Sequence, residues 1–218
     1  MHVEIWSDVA CPFCYMNKRR FEAALADFEH EAATTVLWRS FELEPEAPAE
    51  ESEDNAGRLA AKYGWTREQA VAKLDQLAQM ARGDGLDFRY DLQRPGNTFA
   101  AHRVIHLAAE YGLAGAVKER LMRAFWSEGA LLADSDTLVQ LAADAGVPEE
   151  QTRALLDSDR FAQDVREDER AAQVIGVRSV PAIAIDGKLV GAGAMSREKL
   201  LELLCDGWAD AEVTHAAT

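Results

Sequence analysis

The chain has 218 residues, 48% hydrophobic and 28% charged, which suits one soluble domain with a real core, or one domain carrying an insertion. Its formal net charge of −15 sets it against phosphate backbones and anionic lipid surfaces, so neither nucleic acid nor a membrane is an expected partner. No apolar run is long enough to span a bilayer, no basic-then-apolar leader opens the sequence, and three cysteines suit a reducing compartment, so the expected location is cytoplasmic.

The first residues, with Val3 and Ile5 alternating against polar neighbours, read as a short strand ending at Ser7-Asp8. Cys11-Pro12-Phe13-Cys14 follows and opens a helix of about five turns. Phe21, Ala24, Leu25 and Phe28 form its apolar stripe, and Lys18, Arg19, Arg20, Glu22 and Asp27 its wet face. Residues 34–43, rich in β-branched and aromatic side chains, read as a second strand, which completes a right-handed βαβ unit. Residues 42–54 hold seven acids, two prolines and no base, the composition of a solvated loop.

From about 55 to 157 the pattern is helical, apart from an extended connector at 86–93 that runs into Pro95-Gly96. Thr66-Arg67-Glu68-Gln69 is a capping box. Asn97 or Thr98 caps the helix after the connector, a further helix runs to Gly129, and Asp134 and Pro148 mark two later starts. Ser158 is expected to open a helix reaching Ile175, stopped by Gly176. Residues 182–185 and 188–190 are strands joined by an Asp186-Gly187 hairpin turn, and residues 196–208 form the last helix before frayed terminal residues. The two ends spell β-α-β and α-β-β-α around about a hundred mostly helical residues. The expectation is an α/β, thioredoxin-like fold with a large helical insertion. Its first part is residues 1–48, the insertion 49–157 and its second part 158–218.

Two cysteines three apart in one helical turn can close a disulfide. If Cys11 caps the helix, its sulfur faces unpaired N–H groups at the positive end of the helix dipole, which favours the attacking thiolate. The same spacing also serves half a zinc site or a structural disulfide. Zinc needs two more ligands from Cys205 and the histidines His2, His30, His102, His106 and His215, of which only His102 and His106 share a helical spacing. No metal is therefore expected, and thiol–disulfide exchange is preferred. Cys205 falls in the apolar stripe of the last helix and reads as a small core residue. Asp8, three residues before Cys11, either relays a proton or merely ends the strand.

The CPFC motif, the GVRSVP stretch at 176–181 and the Asn97-Thr98 and Ala101-His102-Arg103 pairings resemble the FrnE-like branch of the DsbA family. That branch is related to 2-hydroxychromene-2-carboxylate isomerases and kappa-class glutathione transferases, which usually carry a serine at the position of Cys11 and lack the second cysteine. The resemblance implies a cytosolic dithiol–disulfide oxidoreductase with Cys11 as nucleophile, reached by solvent, and Cys14 as the more buried resolving thiol. It implies a cis Pro181 beside the sulfurs, with Val180 lending its main chain to substrate. Pro12, Phe13, Asn97, His102 and Arg103 join the expected substrate-binding set, the last three toward an anionic ligand. Phe13 adds neither charge nor hydrogen bond to stabilise a thiolate. No tightly bound cofactor is needed; thiol or disulfide proteins or glutathione serve as redox partners, and the chain is a monomer or homodimer. Two rivals remain: a glutathione-dependent isomerase or transferase, and a non-catalytic redox-sensing module or holdase.

Overall fold

The computed structural model describes residues 1–216; residues 209–216, expected to be frayed, are helical, and residues 217 and 218 lie outside the described ones. In chain order the elements are β1 (His2–Ser7), α1 (Pro12–Ala26), β2 (Thr35–Ser40), α2 (Asn55–Tyr63), α3 (Arg67–Gly83), α4 (Phe99–Ala109), α5 (Ala114–Arg123), α6 (Ser135–Asp144), α7 (Glu149–Leu156), α8 (Ala162–Val174), β3 (Ala182–Ile185), β4 (Lys188–Ala192) and α9 (Arg197–Ala216). The contacts divide the chain into one unit of residues 1–41 with 166 onward, and a second of residues 42–165. The division falls at 41/42 and inside α8, where the sequence suggested 48/49 and 157/158.

The first unit is built on a mixed sheet of order β2-β1-β3-β4. β1 runs parallel to β2 and antiparallel to β3, and β3 is antiparallel to β4. The register sets Val3 opposite Val36 and Ile185, and Ile5 opposite Trp38 and Ile183. Because alternate side chains share a face, this gives one apolar surface, and Phe21, Ala24 and Phe28 of α1 and Leu200 and Leu204 of α9 bury it. Asp186 and Gly187 both have positive φ, 45° and 79°, the geometry an Asp-Gly pair tolerates in a tight hairpin. On the other face, α8 is tied to the sheet by Asp168. Its carbonyl accepts the Trp6 indole N–H at 2.8 Å, and its carboxylate accepts Ser40 N–H at 2.8 Å and the Arg39 guanidinium at 2.9 Å.

The second unit is helical. Ala101, Val104, Leu107 and Ala108 of α4 are fully buried, as are Val117 and Leu121 of α5 and Leu138 and Ala142 of α6. α3 begins with the expected capping box at Thr66 and Gln69, and α6 is capped by Asp134, which accepts Thr137 N–H at 2.8 Å. Three boundaries differ from expectation. α5 ends at Arg123 and passes into a π turn over Ala124–Glu128 before Gly129 closes it in the left-handed conformation. α8 starts at Ala162, not Ser158, because Phe161 sits at φ 61° with its ring stacked on His106, and that conformation cannot continue a helix. α9 runs on past Trp208 to Ala216.

Candidate functional site

β1 delivers the chain to a tight turn at the N-terminus of α1. Asp8 organises that turn: its carbonyl accepts Cys11 N–H and its Oδ1 accepts Ala10 N–H, each at 3.2 Å. Asp8 is only 1% exposed, so a carboxylate lies buried beneath the cysteine turn. Cys11 has extended backbone (φ −91°, ψ 117°) and is the N-cap of α1, with Pro12 at the first helical position, where a missing N–H costs nothing. Cys11 Sγ accepts the Cys14 N–H at 3.3 Å, an arrangement suited to a negatively charged sulfur.

Both thiols are free and buried. Burial pushes the Cys14 thiol well above its ordinary value; the Cys11 hydrogen bond, the Cys11 charge and the Asp8 charge push the same way, while a main-chain hydrogen bond at Asp8 opposes them. Cys11 is 3% exposed, against the expectation of a sulfur open to solvent. One reason lies in the opposing loop, because the Cys11 S–H donates to Val180 O at 3.8 Å. Phe13, between the cysteines, is 42% exposed and gives the turn an apolar knob.

The opposing loop leaves α8 through Gly176 at φ 85° and anchors itself with buried Val177 and Val180. The Val180–Pro181 bond is cis, and Pro181 O accepts Gly193 N–H at 2.7 Å, which fixes the loop to the end of β4. Among the described residues the Val180 N–H has no hydrogen-bond partner. The structure therefore gathers Cys11, Pro12, Phe13, Cys14, Val180 and Pro181 in the first unit.

Asn97, His102 and Arg103 belong to the second unit. Asn97 Oδ1 accepts Phe99 N–H at 2.9 Å and its amide donates to Pro45 O at 3.1 Å. His102 is fully buried in α4. The Arg103 guanidinium donates to three carbonyls at the end of α7 and in the connection to α8: Leu155 at 2.7 Å, Arg160 at 2.8 Å, and Ser158.

Two side chains depart from their expected settings. Lys18, assigned to the wet face, is buried, with Nζ 2.6 Å from Glu22 Oε1 and 5.6 Å from the Trp38 ring centre. Cys205 is exposed, not a core residue: α9 turns Leu200 and Leu204 inward, and Cys205, one position on, lines a groove with His30 and Trp208. Sequence reasoning missed Asn17, whose Oδ1 accepts Met195 N–H at 3.0 Å while Arg20 donates to Met195 O at 3.0 Å. The available signal was a polar residue on the inward stripe of Cys14, Phe21 and Ala24. Among the described residues no three His, Cys, Asp or Glu side chains gather as a metal site; the His215 side chain lies outside that description.

The family model for a DSBA-like thioredoxin domain matches residues 2–204. The chain belongs to the DsbA-like family. Within that family it is similar to a "probable DsbA oxidoreductase" from Streptomyces coelicolor, at 39% identity and TM-score 0.90 over 96% of this chain and 90% of that one. It is 27% identical to the uncharacterized protein YwbO of Bacillus subtilis, over 94% of this chain and 96% of the relative. The cytosolic disulfide reductase DsbM of Pseudomonas aeruginosa, solved also with glutathione, shares the DsbA-like fold at TM-score 0.64, with 17% identity alone and 18% with glutathione, over at least 99% of each chain.

Proposed function

We propose that this DsbA-like chain is a cytoplasmic dithiol–disulfide oxidoreductase that works through a mixed disulfide. The observation that carries the reading is the pairing of an N-cap sulfur, Cys11, with a second thiol one turn deeper, beside a loop whose Val180 N–H is open. Cys11 thiolate attacks a substrate disulfide, one S–S bond breaks, and the departing thiolate carries away its electron pair. Cys14 then loses its proton and attacks Cys11 Sγ, releasing the second substrate thiolate and leaving the Cys11–Cys14 disulfide. The reverse sequence oxidises a substrate dithiol. Val180 offers its N–H to an extended substrate segment, and Phe13 offers apolar contact. The likeness to DsbM supports thiols or glutathione as the electron partner.

A glutathione redox titration with thiol trapping, read by mass spectrometry, tests this. The expected result is one two-electron transition confined to Cys11 and Cys14. A persistent glutathione adduct on Cys11, with Cys14 never closing the disulfide, would overturn the reading in favour of a glutathione-dependent isomerase or transferase.

A further inference from the structure

The loop that faces Cys11 carries a cation the mechanism does not use. Arg178 lies two residues before Val180, no more than about 7 Å of chain away, and Val180 O is itself the group in contact with Cys11 Sγ. Val177 and Val180 are buried while Arg178 and Ser179 are exposed, so the loop is held at both ends with its polar middle turned to solvent. Most arginines of this chain are bound by carboxylates or carbonyls: Arg39, Arg58, Arg67, Arg89, Arg120 and Arg160 all are. Arg178 has no ion pair, hydrogen bond or ring contact among the described residues. The chain as a whole carries −15, so its general field repels an anionic substrate, and a local unpaired cation is what such a substrate needs beside the sulfurs.

Resting on the proposed function, we infer that Arg178 is a specificity-determining residue that selects a small, carboxylate-bearing disulfide, of which glutathione disulfide is the example, over uncharged ones. A guanidinium on this loop carries a fixed charge that a carboxylate a few bonds from the reacting disulfide would meet. A small disulfide fits better than an acidic protein surface, because the latter brings more negative charge against a chain of net charge −15. The exchange balances as before: the dithiol loses two electrons and two protons, and glutathione disulfide becomes two thiols.

The test compares oxidation rates of the reduced protein by glutathione disulfide and by neutral hydroxyethyl disulfide, in the parent and in Arg178→Gln, Arg178→Lys and Arg178→Glu. The expected result is a loss of about fivefold with glutathione disulfide for Arg178→Gln, a larger loss for Arg178→Glu, and near-parental rates for Arg178→Lys. The neutral disulfide should react alike with all four. The parent-to-Gln ratio should also shrink toward one as salt is added. Equal slowing with both disulfides, or no change with either, would overturn the inference and leave the proposed function standing. A folded parent whose Cys11–Cys14 pair is oxidised by neither disulfide would overturn both.

Discussion

The chemistry of the site turns on how differently its two sulfurs are housed. Cys11 caps a helix, whereas Cys14 lies buried inside the first turn, where a thiolate is poorly solvated. Because burial raises the folded Cys14 thiol above its ordinary value of 9.0, the folded chain keeps a proton that the unfolded chain gives up. The sign follows directly: this stabilising contribution of the reduced state is complete below about pH 9 and declines as pH rises beyond it. Denaturant titrations of the reduced protein at pH 8 and pH 10 should show that decline, and Cys14→Ala should flatten it. Asp8→Asn removes a like charge from beneath the turn, so the Cys14 thiol should titrate lower than in the parent, as read by NMR of its β-carbon. Cys205, exposed and remote in sequence from the pair, should react with a thiol reagent under native conditions, and Cys205→Ser should leave the Cys11–Cys14 transition unmoved.

Among the elements, those with local signals were the legible ones. The capping box at Thr66, the Asp186-Gly187 turn and the cysteine-capped α1 each depend on side chains within four residues of the backbone they satisfy. The start of α8 was not legible, since the left-handed Phe161 is held by a ring from α4 that no local pattern announces. The burial of Lys18 and the exposure of Cys205 were hidden for the same reason: each is decided by a neighbour distant in sequence. At the site, the cysteine pair and the Val-Pro loop could be read from motifs, but the free state of Arg178 could not, because it depends on what every other charge is doing. Gly207 shows how closely α9 approaches the sheet: a Cβ there would lie 2.8 Å from Ile185 Cγ2. Alanine suits a helix better than glycine by about 1 kcal/mol, but overpacking costs about 1–3 kcal/mol, so Gly207→Ala should lower stability by about 1 kcal/mol in urea titration. Asp168→Ala should cost about 2–3 kcal/mol, because it removes one carboxylate that serves both Ser40 N–H and Arg39.

At the level of the whole molecule, net charge is a property that composition alone discloses. A chain at −15 repels itself, so modest salt should raise its melting temperature by screening, a direction that calorimetry between low and physiological ionic strength can check. If instead the melting temperature fell steeply with salt, surface ion pairs such as Arg67–Asp54 and Arg160–Glu110 would outweigh the net repulsion.

The contact between Cys11 and Val180 joins positions 169 residues apart. On a ribosome adding roughly 5–20 residues each second, the cysteine turn is therefore made about ten to thirty seconds before the loop that covers it. During that interval β1 has no β3 to pair with, and both sulfurs stand in an unfinished chain. The nascent protein thus offers its thiols to passing oxidants before the loop that would choose among them has been made.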